Sequence, residues 1–153
     1  MIMPVTSENE NEWAELCIAL WSNNTTDDML EELHSGKLPS EYLYMVESKA
    51  VAFISLSLRT DYVEGTDSSP MGYLEGIYVN PNFRGRGIAE KLVEFATEWS
   101  ISKGCTELAS DCELDNEDSR LFHGKIGFEE ANRIICFTMN LKGSPHEEAK
   151  NGD

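Results

Sequence analysis

Trp13, Leu16, Cys17, Leu20 and Trp21 recur three and four residues apart over residues 8–21, with acidic side chains opposite, and that spacing predicts an amphipathic helix. Ser7 with Glu10 three positions on reads as its capping box. Asn23-Asn24-Thr25-Thr26 breaks the pattern, and a second helix is predicted over 27–34, stopped by Gly36. Residues 42–47 and 50–59 read as two strands around a turn at Ser48-Lys49. In the second, Phe53, Ser55, Ser57 and Arg59 alternate with Ile54, Leu56 and Leu58, as in a strand with one buried face. Residues 61–72 hold Glu64-Gly65, Asp67, two serines and Pro70, a loop long enough to suggest function.

Residues 73–79 predict a further strand with Gly76 in its interior, where glycine marks a β-bulge, and Pro81 ends it. Leu92, Val93, Ala96 and Trp99 share one face of a helix predicted over 90–103 and closed by Gly104. A short strand (106–111), a helix (116–125) and a last apolar strand (134–141) follow. Strands and helices mixed in this order predict an α/β (α+β) domain with a central mixed sheet flanked by helices. That single domain takes residues 1–142, and the polar, turn-rich residues 143–153 read as a disordered tail.

Composition narrows the picture. At 153 residues, 41% hydrophobic and 26% charged, the chain reads as one globular domain. No run of eighteen apolar residues occurs, and Met1-Ile2-Met3-Pro4 lacks the segments of a signal peptide. A cytoplasmic protein with no membrane partner is expected. Cys17, Cys105, Cys112 and Cys136 are widely spaced without a CxxC pair, so no metal is expected, and the thiols read as buried. Twelve basic against twenty-eight acidic residues give a formal charge of −16. Such a field repels nucleic acid and steers a polycation toward an acidic cleft.

Two of the twelve basic residues, Arg84 and Arg86, lie where the strand over 73–79 gives way to a helix, in Val79-Asn80-Pro81-Asn82-Phe83-Arg84-Gly85-Arg86-Gly87-Ile88-Ala89. Gly85 and Gly87 let the backbone turn tightly and approach a ligand. The helix beyond them offers unpaired N–H groups and the positive end of its dipole. With Arg84 and Arg86 these make a site for an anion such as pyrophosphate. No Gly-Lys-Ser/Thr follows, so it is not a P-loop, and the G-x-G-x-x-G spacing of a dinucleotide fingerprint is absent.

The spacing of Arg84, Gly87 and Ala89 fits Arg/Gln-x-x-Gly-x-Gly/Ala and resembles the pyrophosphate loop of the GNAT N-acetyltransferase superfamily. Asn116-x-x-Ser119-x-x-Phe122-His123-x-x-x-Gly127-Phe128 is similar to that family's Asn-x-x-Ala-x-x-Leu-Tyr-x-x-x-Gly-Phe ending. The resemblance implies a GNAT-like sheet whose central strand is bulged and splayed, with acetyl-CoA as co-substrate. It implies that the backbone of Ile77, Tyr78 and Val79 holds the acetyl carbonyl and pantetheine arm. Arg84, Gly85, Arg86, Gly87, Ile88 and Ala89 would hold the pyrophosphate, and Asn116 would contact the coenzyme arm. His123 replaces the family's tyrosine, often the acid for the leaving thiolate, and the resemblance implies that a histidine, a residue type that exchanges protons near neutral pH, takes that work.

Within the superfamily, residues 12–137 are similar to the bacterial aminoglycoside 6′-N-acetyltransferases. The most specific stretches are Arg59-Thr60-Asp61-Tyr62-Val63-Glu64-Gly65, Asp67-Ser68-Ser69-Pro70 and Leu74-Glu75-Gly76-Ile77-Tyr78-Val79, with Leu20-Trp21 and Ala109-Ser110-Asp111. That resemblance implies a polycationic aminoglycoside lined by Trp21, Tyr62, Glu75 and Asp111. Carboxylates pair with ammonium groups, and aromatic faces pack on sugar rings and cations. Two departures stand out: Ser22 where relatives tend to have proline, and Asn132 where an acidic substrate contact is expected, so that one amino group is held less tightly there or by Glu129 or Glu130 instead. The expected reaction is direct attack of the 6′-amine within a ternary complex, the oxyanion held by backbone N–H near Val79. Glu75 is the first candidate for the base and Asp111 the second. Other acceptors, a polyamine or a protein N-terminus, and a non-catalytic coenzyme- or cation-binding module remain as alternatives. The related enzymes are often dimers, and residues 134–139 offer an apolar strand to a second copy.

Overall fold

Residues 50–56 form the most deeply buried stretch of the sheet, and their place in its middle strand gives the domain two distinct faces. The computed structural model describes residues 1–38 and 40–142, and the tail expected over 143–153 lies outside them. The elements in order are β1 (Ile2–Pro4), α1 (Glu10–Leu20), α2 (Thr26–His34), β2 (Ser40–Val46), β3 (Lys49–Arg59), β4 (Met71–Val79), a 3-10 turn (Pro81–Phe83), α3 (Ile88–Ser102), β5 (Leu108–Ala109) and α4 (Glu117–Lys125). Five strands pair in chain order, the first four antiparallel and β5 parallel to β4.

The expectation of one buried face on β3 is corrected. Ile54 and Leu56 pack with Leu74, Val79, Ile88, Leu92 and Ala96 on the α3 side. Phe53 packs on the other side with Trp13, Ala14, Leu16, Cys17, Met29 and Leu43, beneath α1 and α2. A central strand covered on both sides needs no polar alternation. Polar residues at Ser55, Ser57 and Arg59 therefore mark the α1 face as the one that does something besides pack.

Local chemistry fixes the connections, with small corrections to the expected ones. Glu47 and Ser48 both take positive φ (49° and 68°), a two-residue hairpin turn whose twist matches the strands. The turn thus sits one residue earlier than Ser48-Lys49. The Ser7–Glu10 capping box does not form; Asn9 is the N-cap of α1, without a side-chain cap bond, and its Oδ1 instead accepts from Thr6 N at 2.7 Å. The capping box belongs to α2, where Thr25 and Asp28 bond reciprocally.

The last strand is also corrected: residues 134–141 form no strand, and Ile135 and Phe137 are 78% and 88% exposed. Alternating apolar residues make a strand only where an edge pairs with them, and β5, only two residues long, is the edge here. The same shortfall explains the thiols. Cys17 and Cys105 are buried, but Cys112 and Cys136, on segments expected to be strand or to abut one, are exposed.

Candidate active site

The bulge falls on Glu75. Ser55 pairs with Gly76 and Leu56 with Leu74, so Glu75 is the extra residue of β4. Side-chain directions agree: Leu74, Ile77 and Val79 all join the α3-side core, a spacing of three then two that only an inserted residue allows. Glu75 and Gly76 then both face α1. A Cβ on Gly76 would lie 2.5 Å from Trp21 Cζ2 and 2.8 Å from Cη2, so the glycine is where the indole rests on the strand. Trp21, the C-cap of α1, is also tilted against the buried Phe53, with ring centroids 5.5 Å apart.

Around Glu75 a polar row crosses the α1 face. Ser57 Oγ donates to Glu75 Oε1 at 2.9 Å, and Arg59 Nη2 donates to Oε1 at 2.6 Å and Oε2 at 3.1 Å. The Arg59 guanidinium lies over the Tyr73 ring, 3.5 Å from its centroid. The Tyr73 hydroxyl donates to Asp111 Oδ2. Burial, then the bond to Asp111, pushes the Tyr73 phenol above its ordinary range, so it stays a donor. Deeper in the row Glu41 accepts from Trp13 Nε1 at 3.0 Å and from Ser55 Oγ, directly beside the bulge. Burial pushes the Glu41 carboxyl up to about 7, against the pull of the two hydrogen bonds.

The loop between β3 and β4 follows directly on Arg59. Its far side is pinned by Glu107, which accepts from Asp67 N at 2.9 Å and from Ser68 Oγ. Tyr62 stands on it, 75% exposed, and its hydroxyl donates to Glu64 at 3.4 Å. Asn132 Nδ2 donates to the other Glu64 oxygen, and a Cβ on Gly65 would meet Ala131 at 2.6 Å. The segment after α4 therefore braces the tyrosine loop. Glu130 is paired with Arg133, which lowers its carboxyl pKa. Among the described residues no hydrogen bond joins Tyr62 or Asn132 to Glu75 or Asp111.

The other half of β4 leads into the glycine-arginine loop before α3. Pairing with β5 covers only Gly72 with Leu108 and Tyr73 with Ala109, so β4 loses its β5 neighbour beyond Tyr73. Ser110 Oγ touches the Leu74 carbonyl at 3.2 Å where the two strands part. After the 3-10 turn, Gly85 and Gly87 both have φ of 77°, and a Cβ on either would meet nothing within 4 Å. Gly87 caps α3 without a side chain, leaving the N–H groups of the first turn for a ligand. These features fit an anion that reaches the backbone. Arg84 Nε donates to Val79 O at 2.9 Å, and Arg86 lies 4.8 Å from the Phe83 ring centroid, so both charges are held at the loop.

Asn116 caps α4, its Oδ1 accepting from Ser119 N at 3.1 Å. His123 has both ring nitrogens engaged: Nε2 with Ser110 Oγ at 2.8 Å, Nδ1 with the Ser119 carbonyl at 2.7 Å. Phe128 lies against it, 5.4 Å between centroids. Among the described residues no group of three or more His, Cys, Asp or Glu side chains is placed to hold a metal.

The chain as a whole has counterparts among known proteins. Residues 7–128 match the Acetyltransferase (GNAT) family. The chain belongs to that family. It is 36% identical over 143 residues to an aminoglycoside N(6′)-acetyltransferase type 1 of Acinetobacter haemolyticus, covering 92% of this chain and 98% of the relative. The apo crystal structure of an aminoglycoside antibiotic 6′-N-acetyltransferase from that organism superposes with a TM-score of 0.87 at 36% identity, covering 93% and 99% of the two chains. Another structure, AAC(6′)-Iy with the bisubstrate analogue CoA-S-monomethyl-acetylneamine, gives 0.83 at 35% identity over 92% and 98%.

In this GNAT domain the fold brings Trp21, Glu75 and Asp111 to one face, the first two through Gly76 and the last through Tyr73 and Arg59. Tyr62 and Asn132 meet at Glu64, which sequence reasoning passed over although it sits two residues from Tyr62. Tyr73 was passed over too, although strand alternation puts it two residues before Glu75. Arg59 and Glu41 carried no such signal, because their partnership with β4 depends on cross-strand register.

Proposed function

We propose that this chain transfers the acetyl group of acetyl-CoA to the 6′-amine of aminoglycosides. One observation carries the reading: the strand that bulges to present Glu75 beside Trp21 runs directly into the anion-binding loop. A polycationic acceptor and a pyrophosphate-bearing donor therefore meet along one strand. The relatives named above, one of them held with a coenzyme–neamine analogue, support the same pairing.

Acetyl-CoA supplies an activated acetyl thioester. Backbone N–H groups of Ile88 and Ala89 at the start of α3, with Arg84 and Arg86, hold its pyrophosphate, and Asn116 borders its arm. Ile77, Tyr78 and Val79, free of β5, offer backbone groups to the acyl arm, and a backbone N–H near Val79 polarises the carbonyl. On the acceptor side Trp21 and Tyr62 give faces for the sugar rings, and Glu75 and Asp111 pair with ammonium groups. The neighbouring carboxylate raises the ammonium pKa and then takes the proton, directly or through water. Glu75 is best placed for that, because the bulge aims it alone. His123 serves as the acid for the thiolate by opening its bond to Ser110. Acetylation removes one positive charge from the drug, so antibiotic resistance is the expected cellular outcome, in the cytoplasm where acetyl-CoA is at hand.

The test is thiol release from acetyl-CoA with neamine, with its 6′-hydroxyl analogue paromamine, and with spermidine and a short peptide. Release with neamine alone supports the reading. Equal turnover of paromamine would exclude the 6′-amine, and preference for spermidine or the peptide would move the function to another amine.

We also propose a homodimer. Ile134, Ile135, Phe137, Met139 and Leu141 are each 58–88% exposed on one short segment, more than a lone domain ordinarily leaves in water. A second copy would give this segment the strand edge it lacks. Sedimentation should give twice the chain mass, and Phe137→Asp should return it to the monomer; a monomeric wild type at micromolar concentration refutes the proposal.

A further inference from the structure

Arg59 already does to the acidic site what an ammonium-rich acceptor would do. Its guanidinium bridges both Glu75 oxygens, at 2.6 and 3.1 Å, and stacks 3.5 Å above the Tyr73 ring, whose hydroxyl is bound to Asp111. A carboxylate and an aromatic face are what an ammonium group on a sugar requires, and here one side chain of the protein takes both, with Asp111 held next to it by Tyr73. We propose that Arg59 is an internal cation occupying the ammonium subsite between Glu75 and Asp111, and that the acceptor binds by displacing it. The proposal rests on the acceptor-side reading above and adds a device that decides which amines succeed.

Both partners are partly open to water, 42% for Arg59 and 25% for Glu75. Such a pair is held weakly, and its Coulomb term is screened. Arg59 is the last residue of β3, followed by the loop that carries Tyr62, so the side chain has room to swing toward solvent. A monoamine replaces one cation with another and gains little by it. A ligand with several ammonium groups can hold Asp111 with one while another competes for Glu75, so its gain grows with each further group. Arg59 thereby acts as a filter against singly charged amines, in a protein whose charge of −16 would otherwise attract any cation.

Titration calorimetry on wild type, Arg59→Gln, Arg59→Met and Arg59→Lys tests this, with neamine, the monoamine 6-amino-6-deoxyglucose and CoA as ligands. Either variant that removes the charge should bind neamine about fivefold more tightly, the factor one partly exposed ion pair is worth. The monoamine should gain at least as much in proportion, Arg59→Lys should stay near wild type, and CoA affinity should not move. In steady state the change should appear in acceptor KM, whereas a residue that merely orients Glu75 would lower kcat. Equal or weaker neamine binding in both charge-removing variants overturns the proposal. Thiol release by wild type with no tightening in the variants would overturn it and leave the acetyltransferase reading standing. Tightening without any thiol release from wild type would keep the internal cation and remove that reading instead.

Discussion

Gly76→Ala isolates one contact on which the acceptor site depends. Gly76 is not among the residues with positive φ, so alanine fits its backbone without strain, and only the new methyl matters. That Cβ would lie 2.5 Å from Trp21 Cζ2 and 2.8 Å from Cη2, where real Cβ contacts stay beyond 3.0 Å. The indole must therefore retreat by roughly 0.5–1 Å, the overpacking that costs about 1–3 kcal/mol in a filled interior. On one side that retreat is blocked. Phe53, with no exposed surface, lies against it, and Leu20 Cδ2 is 3.4 Å from the same new methyl.

A stability of about 5–15 kcal/mol tolerates that loss, so the variant should fold, with a urea midpoint lower by roughly 1 M at a slope of about 1–3 kcal/mol per M. The decisive assay is a double-mutant cycle with Trp21→Ala. Without the indole, the Gly76→Ala change should cost less than about 0.5 kcal/mol, giving a coupling of about 1 kcal/mol or more. Acceptor KM should rise in Gly76→Ala while the CoA dissociation constant stays at the wild-type value. An unchanged cost of Gly76→Ala in the Trp21→Ala background would refute the reasoning: Gly76 would then serve the bulge itself and not the approach of Trp21.

Three further outcomes can be measured. The Glu41 carboxyl holds its proton up to about pH 7 when folded, against 4.5 for an ordinary glutamate, so the folded state binds more protons between those values and stability falls as pH rises through them. The loss is up to roughly 3 kcal/mol by linkage, and Glu41→Gln should flatten that part of the urea-unfolding profile between about pH 4.5 and 7. Leu92 has no exposed surface, and Leu92→Ala should lower unfolding free energy by about 2–5 kcal/mol with acceptor KM unmoved. Gly87→Ala meets no atom within 4 Å but must hold φ at 77°; a strain of about 1–2 kcal/mol should weaken CoA binding by calorimetry and spare acceptor affinity.

Local signals predicted well and cross-strand relations did not. The periodicity of Trp13, Leu16 and Cys17 found α1, and the glycine-arginine run found the start of α3, because each depends on neighbours within a turn. Gly76 marked a bulge, yet the inserted residue is Glu75, since which residue is extra follows from pairing with Ser55 and Leu56. Asp111 was recognised from its resemblance, but its bond to Tyr73 crosses from β5's end to β4. Residues 134–141 failed in the opposite direction. Their alternation is a real strand pattern, and what it lacks is an edge, which intrinsic preference cannot supply.

The bulge ties these observations to mechanism. Without the extra residue, strict alternation would turn Ile77 and Val79 from the α3 core toward α1 and send Tyr78 the other way. With it, Glu75 and Gly76 face α1 together, one as a carboxylate and the other as a resting place for Trp21. The same insertion lets Leu74, Ile77 and Val79 remain in the apolar core, so the strand gains a functional group without giving up packing. Beyond the bulge β5 has already stopped, so the outer backbone groups of β4 there lack a strand partner, and Arg84 takes the Val79 carbonyl. The bulge and the early end of β5 together set Gly76 against Trp21 on one face and leave the last residues of β4 without a second neighbour. A regular β4 would still turn Glu75 toward α1 but would carry Gly76 away from Trp21 and take Ile77 and Val79 out of the core, so the register shift at Ser55 shapes the α1 face as much as any side chain on it.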